Sequence, residues 1–402
     1  TFGKLWLAYG EVGVEPPHYN TQSFYVSPNY SDSYGGSLST DLFGAGSFTP
    51  SQDLGDPNLS PEIKKEYEIG TDIRFFDNKV KIGYSYFYNT TDDVFFNLSL
   101  ANSSGYDEIF TNAGKIENKG MEVDLGYDIF KTEDFKINLT ANWSYYRNKV
   151  LDLKGVESIR LGGLSAVSGR AVEGYPLGIF WGTKFSRNDD GSIFLNSNGF
   201  PTLAPENGVI GDPHPDWQGG VGTTVTWKNL NLYFLFETYQ GADIYAGTKA
   251  VLLNYGRHRD SGVETVAEKD LFDYNGGLIT SGTSFRGTVH DFGAGDVALT
   301  ESWYRGIGGY FSGVQEQFVE DGSWTRLREV TLSYSLRGPR FKKSTKLSSI
   351  DFSLTGRNLH IWTNFIGNDP DTNLTEVSTT RGIDYFNNPG TKSYVFKITL
   401  NY

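Results

Sequence analysis

The chain has 402 residues and 44.8 kDa, with no cysteine, one methionine, 48 glycines, 8 Trp, 25 Tyr and 28 Phe. Without cysteine there is no disulfide framework, thiolate metal site or cysteine nucleophile, and a formal charge of −13 excludes a nucleic-acid role that rests on a general positive field. With 38% hydrophobic and 15% aromatic residues the chain is rich enough to pack and is not disordered as a whole.

No run of 18 apolar residues exists, so no transmembrane helix is expected. Thr1 leads straight into Phe2-Gly3-Lys4-Leu5-Trp6 with no basic n-region, which reads as a mature or partial polypeptide. From there the dominant pattern is alternation with a period of two, the mark of amphipathic β-strands. It recurs at Tyr67–Phe75, Val80–Tyr88, Met121–Ile129 and Phe135–Tyr145, then at Val221–Trp227, Leu230–Thr238, Val330–Leu336 and Ile350–Leu354. The end of the chain repeats it, with Tyr394, Phe396, Ile398, Leu400 and Tyr402 on one parity. That parity carries no Asp, Glu, Lys or Arg in any of these stretches. The interleaved parity holds Glu68, Asp72, Arg74, Lys81, Glu122, Asp124, Asp128, Lys136, Glu237, Asp351 and Lys397.

A soluble sandwich also alternates, so strand length, aromatic placement and connection length must discriminate. Glu66–Phe76, Lys79–Asp92, Ile116–Ile129 and Phe135–Lys149 far exceed the roughly 5–6 residues usual in soluble strands. They reach the ~9–11 tilted residues that cross a bilayer. Tyr86, Tyr88, Trp143, Tyr145, Trp227 and Tyr402 stand near strand ends, as interfacial girdles do. Short turns at Asp77-Asn78, Lys131–Asp134 and Lys228-Asn229 alternate with long polar loops near 10–65, 93–115, 150–214, 242–322 and 363–390.

The expected fold is therefore all-β: a transmembrane antiparallel β-barrel portion with strands starting near Thr1, Glu66, Lys79, Ile116, Phe135, Pro215, Leu230, Ser323, Lys346 and Thr391. The long loops are expected to be extracellular. Tyr175–Ser186 also alternates, but counting it would put Lys228-Asn229 on the wrong side, so it belongs to an extracellular excursion; Tyr19–Val26 is a second ambiguous stretch. A mean hydropathy of −0.40 is compatible, because only alternate residues of a barrel meet lipid. Ten strands leave two open edges, which lipid does not tolerate. Closure is expected from residues outside this sequence or from another chain.

Several segments resemble the C-terminal part of SusC/RagA-type TonB-dependent outer-membrane transporters. Asp56-Pro57-Asn58-Leu59-Ser60-Pro61-Glu62 followed by Tyr67-Glu68-Ile69-Gly70 resembles "NPNLKWE…NIGLD", and Asn112–Glu122 resembles "N-G-x-x-x-N-K-G-x-E". Gly174-Tyr175-Pro176-Leu177-Gly178 is similar to "G-x-P-x-G", and Gly211–Trp217 to "G-x-P-x-P-D-[FW]". Val319–Leu327 resembles "V-E-D-G-S-[YW]-x-R-[LI]", and Gly356-Arg357-Asn358-Leu359 resembles "G-x-N-L". Asn20–Thr49 and much of Ala242–Gly322 carry no such resemblance. The resemblance implies a 22-stranded barrel with an N-terminal plug domain, a periplasmic TonB box, a SusD-like lipoprotein lid and an oligosaccharide or peptide cargo. The plug and TonB box are not in this sequence, so the chain reads as barrel wall and loops.

Nothing points to catalysis. His18, His214, His258, His290 and His360 have no metal-ligand spacing, and neither H-E-x-x-H nor G-x-S-x-G occurs. Arg257-His258-Arg259-Asp260 reads as a solvated loop, and Gly219-Gly220-Val221-Gly222 precedes a strand rather than a phosphate-binding helix. Asp189, Asp190, Asp369 and Asp371 are candidate Ca²⁺ ligands, with Asx-turns as the alternative. Tyr30, Tyr34, Trp303, Tyr304, Tyr310 and Phe311 are candidates for cargo or lid contact, with loop-on-loop packing as the alternative. Glu237, Glu122 and Asp124 are expected to face the lumen. The strand of Tyr394, Phe396, Ile398, Leu400 and Tyr402 resembles the terminal signal read by the barrel-assembly machinery. Besides import, the sequence leaves open a structural barrel component of a larger outer-membrane complex and a secreted all-β domain that would dissolve without detergent.

Overall fold

The computed structural model describes residues 1–27, 29–31, 37–39, 46, 48–375 and 378–402. Ten strands form one continuous meander: β1 (Phe2–Val14), β2 (Glu62–Phe75), β3 (Val80–Ser99), β4 (Glu108–Lys131) and β5 (Phe135–Asp152), then β6 (Trp217–Trp227), β7 (Leu230–Gln240), β8 (Trp324–Arg337), β9 (Ser349–Thr363) and β10 (Ser393–Asn401). Each strand pairs antiparallel with the next. The strands follow the starts read from the sequence, and both chain ends lie on the side of the short turns. Among the described residues β1 and β10 each have a single partner, so the sheet is open.

The apolar parity forms a continuous surface because the register aligns it across strands. Phe396, Leu354, Leu332, Leu232, Val225 and Ile137 are successive cross-strand partners, an unbroken apolar row over six strands. This face is bare: Leu7 on β1 is 82% exposed, and Phe396 on β10 is 64% exposed. The opposite face is polar, with a cross-strand ladder of directly opposed residues. Asn89 donates to Glu66 at 3.1 Å, Asn118 to Asn89 at 2.8 Å and Asn148 to Asn118 at 2.5 Å.

The buried core lies in the loops and at the upper ends of three wall strands rather than across the sheet. Between β5 and β6 the chain builds a four-stranded sheet of Ser158–Gly163, Val167–Val172, Ile179–Gly182 and Gly208–Gly211. Tyr175–Ser186 thus contributes its strand to this cap and not to the wall. One cluster of Phe96, Ala113, Ile116, Val150, Leu153, Ile159 and Ala171 fastens the cap to the upper ends of β3, β4 and β5. A larger one gathers Phe180, Phe200, Tyr245, Trp303, Tyr304, Tyr310 and Ile383 from three loops.

The strand expected from Glu66 begins four residues earlier, at Glu62, and two further boundaries differ from the sequence reading for a local reason. The stretch near 93–115 is mostly strand: β3 runs to Ser99 and β4 starts at Glu108, with Phe95 and Phe110 stacked 5.1 Å apart. A register shift between Thr91 and Val94, with Asp93 at φ 58°, switches parity there, so one alternation template loses the strand. Before β9 the chain forms a short helix, Pro339–Thr345, with proline in its first turn, and the strand begins at Ser349 rather than near Lys346.

The two faces should respond oppositely to charge. In the complete protein in lipid, Leu232→Arg, in the middle of the apolar row, is expected to cost about 2–4 kcal/mol. Ser333→Arg, on the polar face of β8, should stay within about 0.5 kcal/mol. Denaturant unfolding from lipid vesicles reads both.

Candidate functional site at the mouth of the sheet

The recurring sequence motifs meet above the polar face, on the long-loop side. Asp243–Ala246, just after β7, pairs antiparallel with Val319–Asp321 and parallel with Ile383–Asp384. This short sheet joins segments far apart in the chain. The turn Gly211–Trp217 is tied to it: Asp212 N–H donates to the Asp243 carboxylate at 2.7 Å, and Asp243 N–H donates to the Asp212 carbonyl at 2.8 Å. His214 closes onto Asp212 Oδ1 at 2.7 Å, and Arg147 of β5 donates to the Pro215 carbonyl at 2.9 Å while pairing with Asp216. Lys249 meets Glu320 at 2.5 Å. Burial pushes the Asp243 and Asp384 carboxyls above their ordinary value, and hydrogen bonds from Asp212 and Thr248 offset part of that rise.

Below this knot, two arginines of β8 hold the last long loop to the wall. Arg326 is buried and pairs with Asp369 at 2.5 Å. Arg328 pairs with Glu237 of β7, reaches Asp371 at 3.3 Å and donates to Asn358 at 3.0 Å. Both guanidiniums lie over the ring of Trp324, at 5.1 and 5.5 Å, and that ring stacks on Tyr239 at 6.0 Å. The Nε of Arg326 is buried with no hydrogen-bond partner among the described residues, a strain the site carries. Beside this wall lies a cavity of about 480 Å³ lined by Tyr239, Trp324, Asp371 and Arg381. From the other side the loop is clamped to the cap, where a Cβ on Gly169 would sit 2.3 Å from the Thr379 carbonyl oxygen, so only glycine allows that approach.

The other motifs are clasps of the same kind. Asn112 accepts from Ser60 N–H at 2.9 Å and donates to the Ser60 and Asp93 carbonyls, while Asp56 accepts the Thr111 hydroxyl at 2.5 Å. Asn118 sits in the middle of the polar ladder. The sequence marks these residues by pattern, but their roles appear only once the strands are paired.

The candidates named from sequence divide. Trp303, Tyr304 and Tyr310 are buried, with Trp303 packed 5.6 Å from Phe200 and 5.2 Å from Phe292, so their rings hold the loops together, and Tyr304 also borders a cavity between them. Phe311 is 63% exposed, edge-on to Tyr255 at 5.9 Å. Tyr30 lies in a short strand opposite Leu38, and Tyr34 lies outside the described residues. Asp369 and Asp371 already face arginines. Asp190 forms an Asx-turn, accepting Ser192 N–H at 2.9 Å and the Ser192 hydroxyl at 2.6 Å, with Asp189 exposed beside it. Among the described residues no three His, Cys, Asp or Glu side chains converge as a metal site. Tyr394, Phe396, Ile398 and Leu400 all point out of the bare face of β10, and Tyr402 follows the strand end at 91% exposure.

Removing one partner of the buried pair should loosen the loop. Asp369→Ala leaves buried Arg326 with only Asp371, at 3.9 Å, so the expected loss is about 3 kcal/mol, the low end for breaking a buried pair. It should appear as faster hydrogen exchange over residues 369–384, with much of the protection restored by adding Arg326→Met.

The family model described as "TonB dependent receptor-like, beta-barrel" matches residues 19–257, more than half of the chain. A TonB-dependent receptor of Formosa agariphila is 27% identical over 399 residues, covering 92% of this chain and 37% of that protein. The TonB-dependent receptor SusC of Bacteroides thetaiotaomicron is 24% identical over 296 residues, covering 70% of this chain and 26% of SusC. Among solved structures, the RagAB peptide transporter superposes with a TM-score of 0.70 at 20% identity, covering 99% of this chain and 40% of that one. The chain thus spans between about a quarter and little more than a third of the length of the curated relatives it matches. Pattern, fold and family model agree: this chain belongs to the TonB-dependent receptor-like β-barrel family of the outer membrane.

Proposed function

We propose that the chain forms wall and extracellular loops of an importer of the SusC/RagA type, which carries an oligosaccharide or peptide nutrient across the outer membrane. The single observation behind this is the two-faced sheet: an apolar row facing outward, a polar ladder facing inward, and folded loops knotted over the inward face. A wall of that kind suits a water-filled or plugged lumen. The bare outward face suits lipid, and the open edges at β1 and β10 call for more strands.

In the complete protein, the resemblance to SusC/RagA transporters implies a 22-stranded barrel, an N-terminal plug, energy coupling through TonB and a SusD-like lipoprotein lid on the extracellular side. The solved likeness named for peptide import supports the peptide alternative for cargo, and the SusC likeness supports the same transporter type. The terminal run Tyr394, Phe396, Ile398, Leu400 and Tyr402 serves barrel assembly in this reading.

The test is uptake of labelled oligosaccharide and peptide mixtures by cells carrying the complete gene. Dissipating the proton gradient or deleting TonB should reduce uptake to background while surface binding persists, and a SusD-like lipoprotein should co-purify. Uptake indifferent to both treatments would reject energised import and favour a structural barrel component.

A further inference from the structure

The loops between β7 and β8 border a separate, half-open cavity of about 510 Å³, within the ~300–1,000 Å³ range of small-ligand sites. Its lining includes Arg257, Arg286 and Arg305 against a single carboxylate, Glu301, so three positive charges less one negative give +2 in a chain of net charge −13. Arg305 reaches Glu301 only at 3.5 Å, between two largely exposed side chains. Arg257 and Arg286 have no carboxylate within ion-pair distance among the described residues. Glu264 stands across the strand pair from Arg286 but accepts the Ser284 hydroxyl at 3.2 Å, and Asp260, beside Arg257, faces His258 at 3.6 Å. Five arginines elsewhere, Arg147, Arg187, Arg326, Arg328 and Arg357, each meet a carboxylate, while others such as Arg160 and Arg170 bond carbonyls or hydroxyls instead.

The cavity is also firmly built. Tyr304 lines it from the aromatic core, its hydroxyl shared with Thr288 at 3.1 Å and directed at the Asp260 carbonyl. Tyr255 lines it too and is 64% exposed, held edge-on by Phe311. Guanidinium forks match the two-oxygen geometry of carboxylates and sulfate esters, and an exposed ring offers a face to a sugar.

We propose that this cavity binds an acidic oligosaccharide, with Arg257, Arg286 and Arg305 taking the oxyanions and Tyr255 stacking on a sugar ring. The proposal rests on the import reading and names the charge class of the cargo. A concave pocket with an aromatic wall favours a saccharide over a flat protein contact.

The experiment uses the complete transporter with its lid partner. Titration calorimetry compares an oligogalacturonate, a sulfated oligosaccharide, an uncharged maltooligosaccharide of the same length and an acidic peptide. The parent should bind at least one acidic saccharide tenfold or more tighter than the neutral one, with affinity falling as salt rises. Arg257→Gln with Arg286→Gln should abolish that preference and its salt dependence while leaving the circular dichroism spectrum unchanged; Arg305→Gln alone should reduce it. No preference in the parent, no loss in the variants, or a response confined to the acidic peptide overturns the proposal. TonB-dependent uptake that persists without any charge preference sinks this site and leaves import standing, whereas uptake independent of TonB sinks the import reading itself.

Discussion

Inside hydrocarbon no water is present to satisfy a backbone N–H or C=O, so every such group must find its partner in the protein. That constraint explains the long meander, in which each strand pairs antiparallel with its sequence neighbour over most of its length. It also fixes the side-chain pattern. Once the strands are paired, alternate residues must face lipid, and register lines them up into rows such as Phe396, Leu354, Leu332 and Leu232. A one-residue slip would send that row inward and bring Lys397 and Ser353 to the lipid.

Because the sheet surrenders its apolar face to lipid, it cannot also use that face for a core. Aqueous stability therefore falls to the loops and the upper ends of the strands, which carry the two large buried clusters. The loops are joined to the polar face through charge and hydrogen bonding: Arg326 with Asp369, Arg328 with Glu237 and Asp371, and Asn148 accepting from Leu177 N–H of the cap at 2.7 Å. Buried pairs of this kind hold geometry more than they add stability. Here they set the last loop at a fixed height above the wall, beside the cavity lined by Trp324 and Tyr239.

The wall was largely legible in the sequence because lipid and lumen impose strict parity on residues such as Tyr67 through Phe75. Legibility stopped where parity is broken: the bulges at Asp93 and Asn358 place extra residues in a strand, and a fixed two-residue period cannot follow them. The site was less legible. Trp303 and Tyr310 in a glycine-rich loop look the same in sequence whether they bind a ligand or fill a core, and only the fold shows them buried. Asp369 looks like a cation ligand until Arg326, 43 residues away, is brought against it. Arg257 stood out only within Arg257-His258-Arg259-Asp260, read as a solvated loop, and Arg286 gave no signal, because a cavity is a property of the folded loops.

The central claim is that one parity of each wall strand meets lipid and the other does not. These 402 residues contain no cysteine, so single cysteines along β10 can carry spin labels in the complete, lipid-embedded protein. Accessibility to oxygen, which partitions into lipid, and to a water-soluble nickel relaxant should alternate from residue to residue. Labels at 396, 398 and 400 should be oxygen-accessible, with the reverse at 395, 397 and 399. Equal accessibility at all six positions, or a helical period of 3.6, would contradict the account.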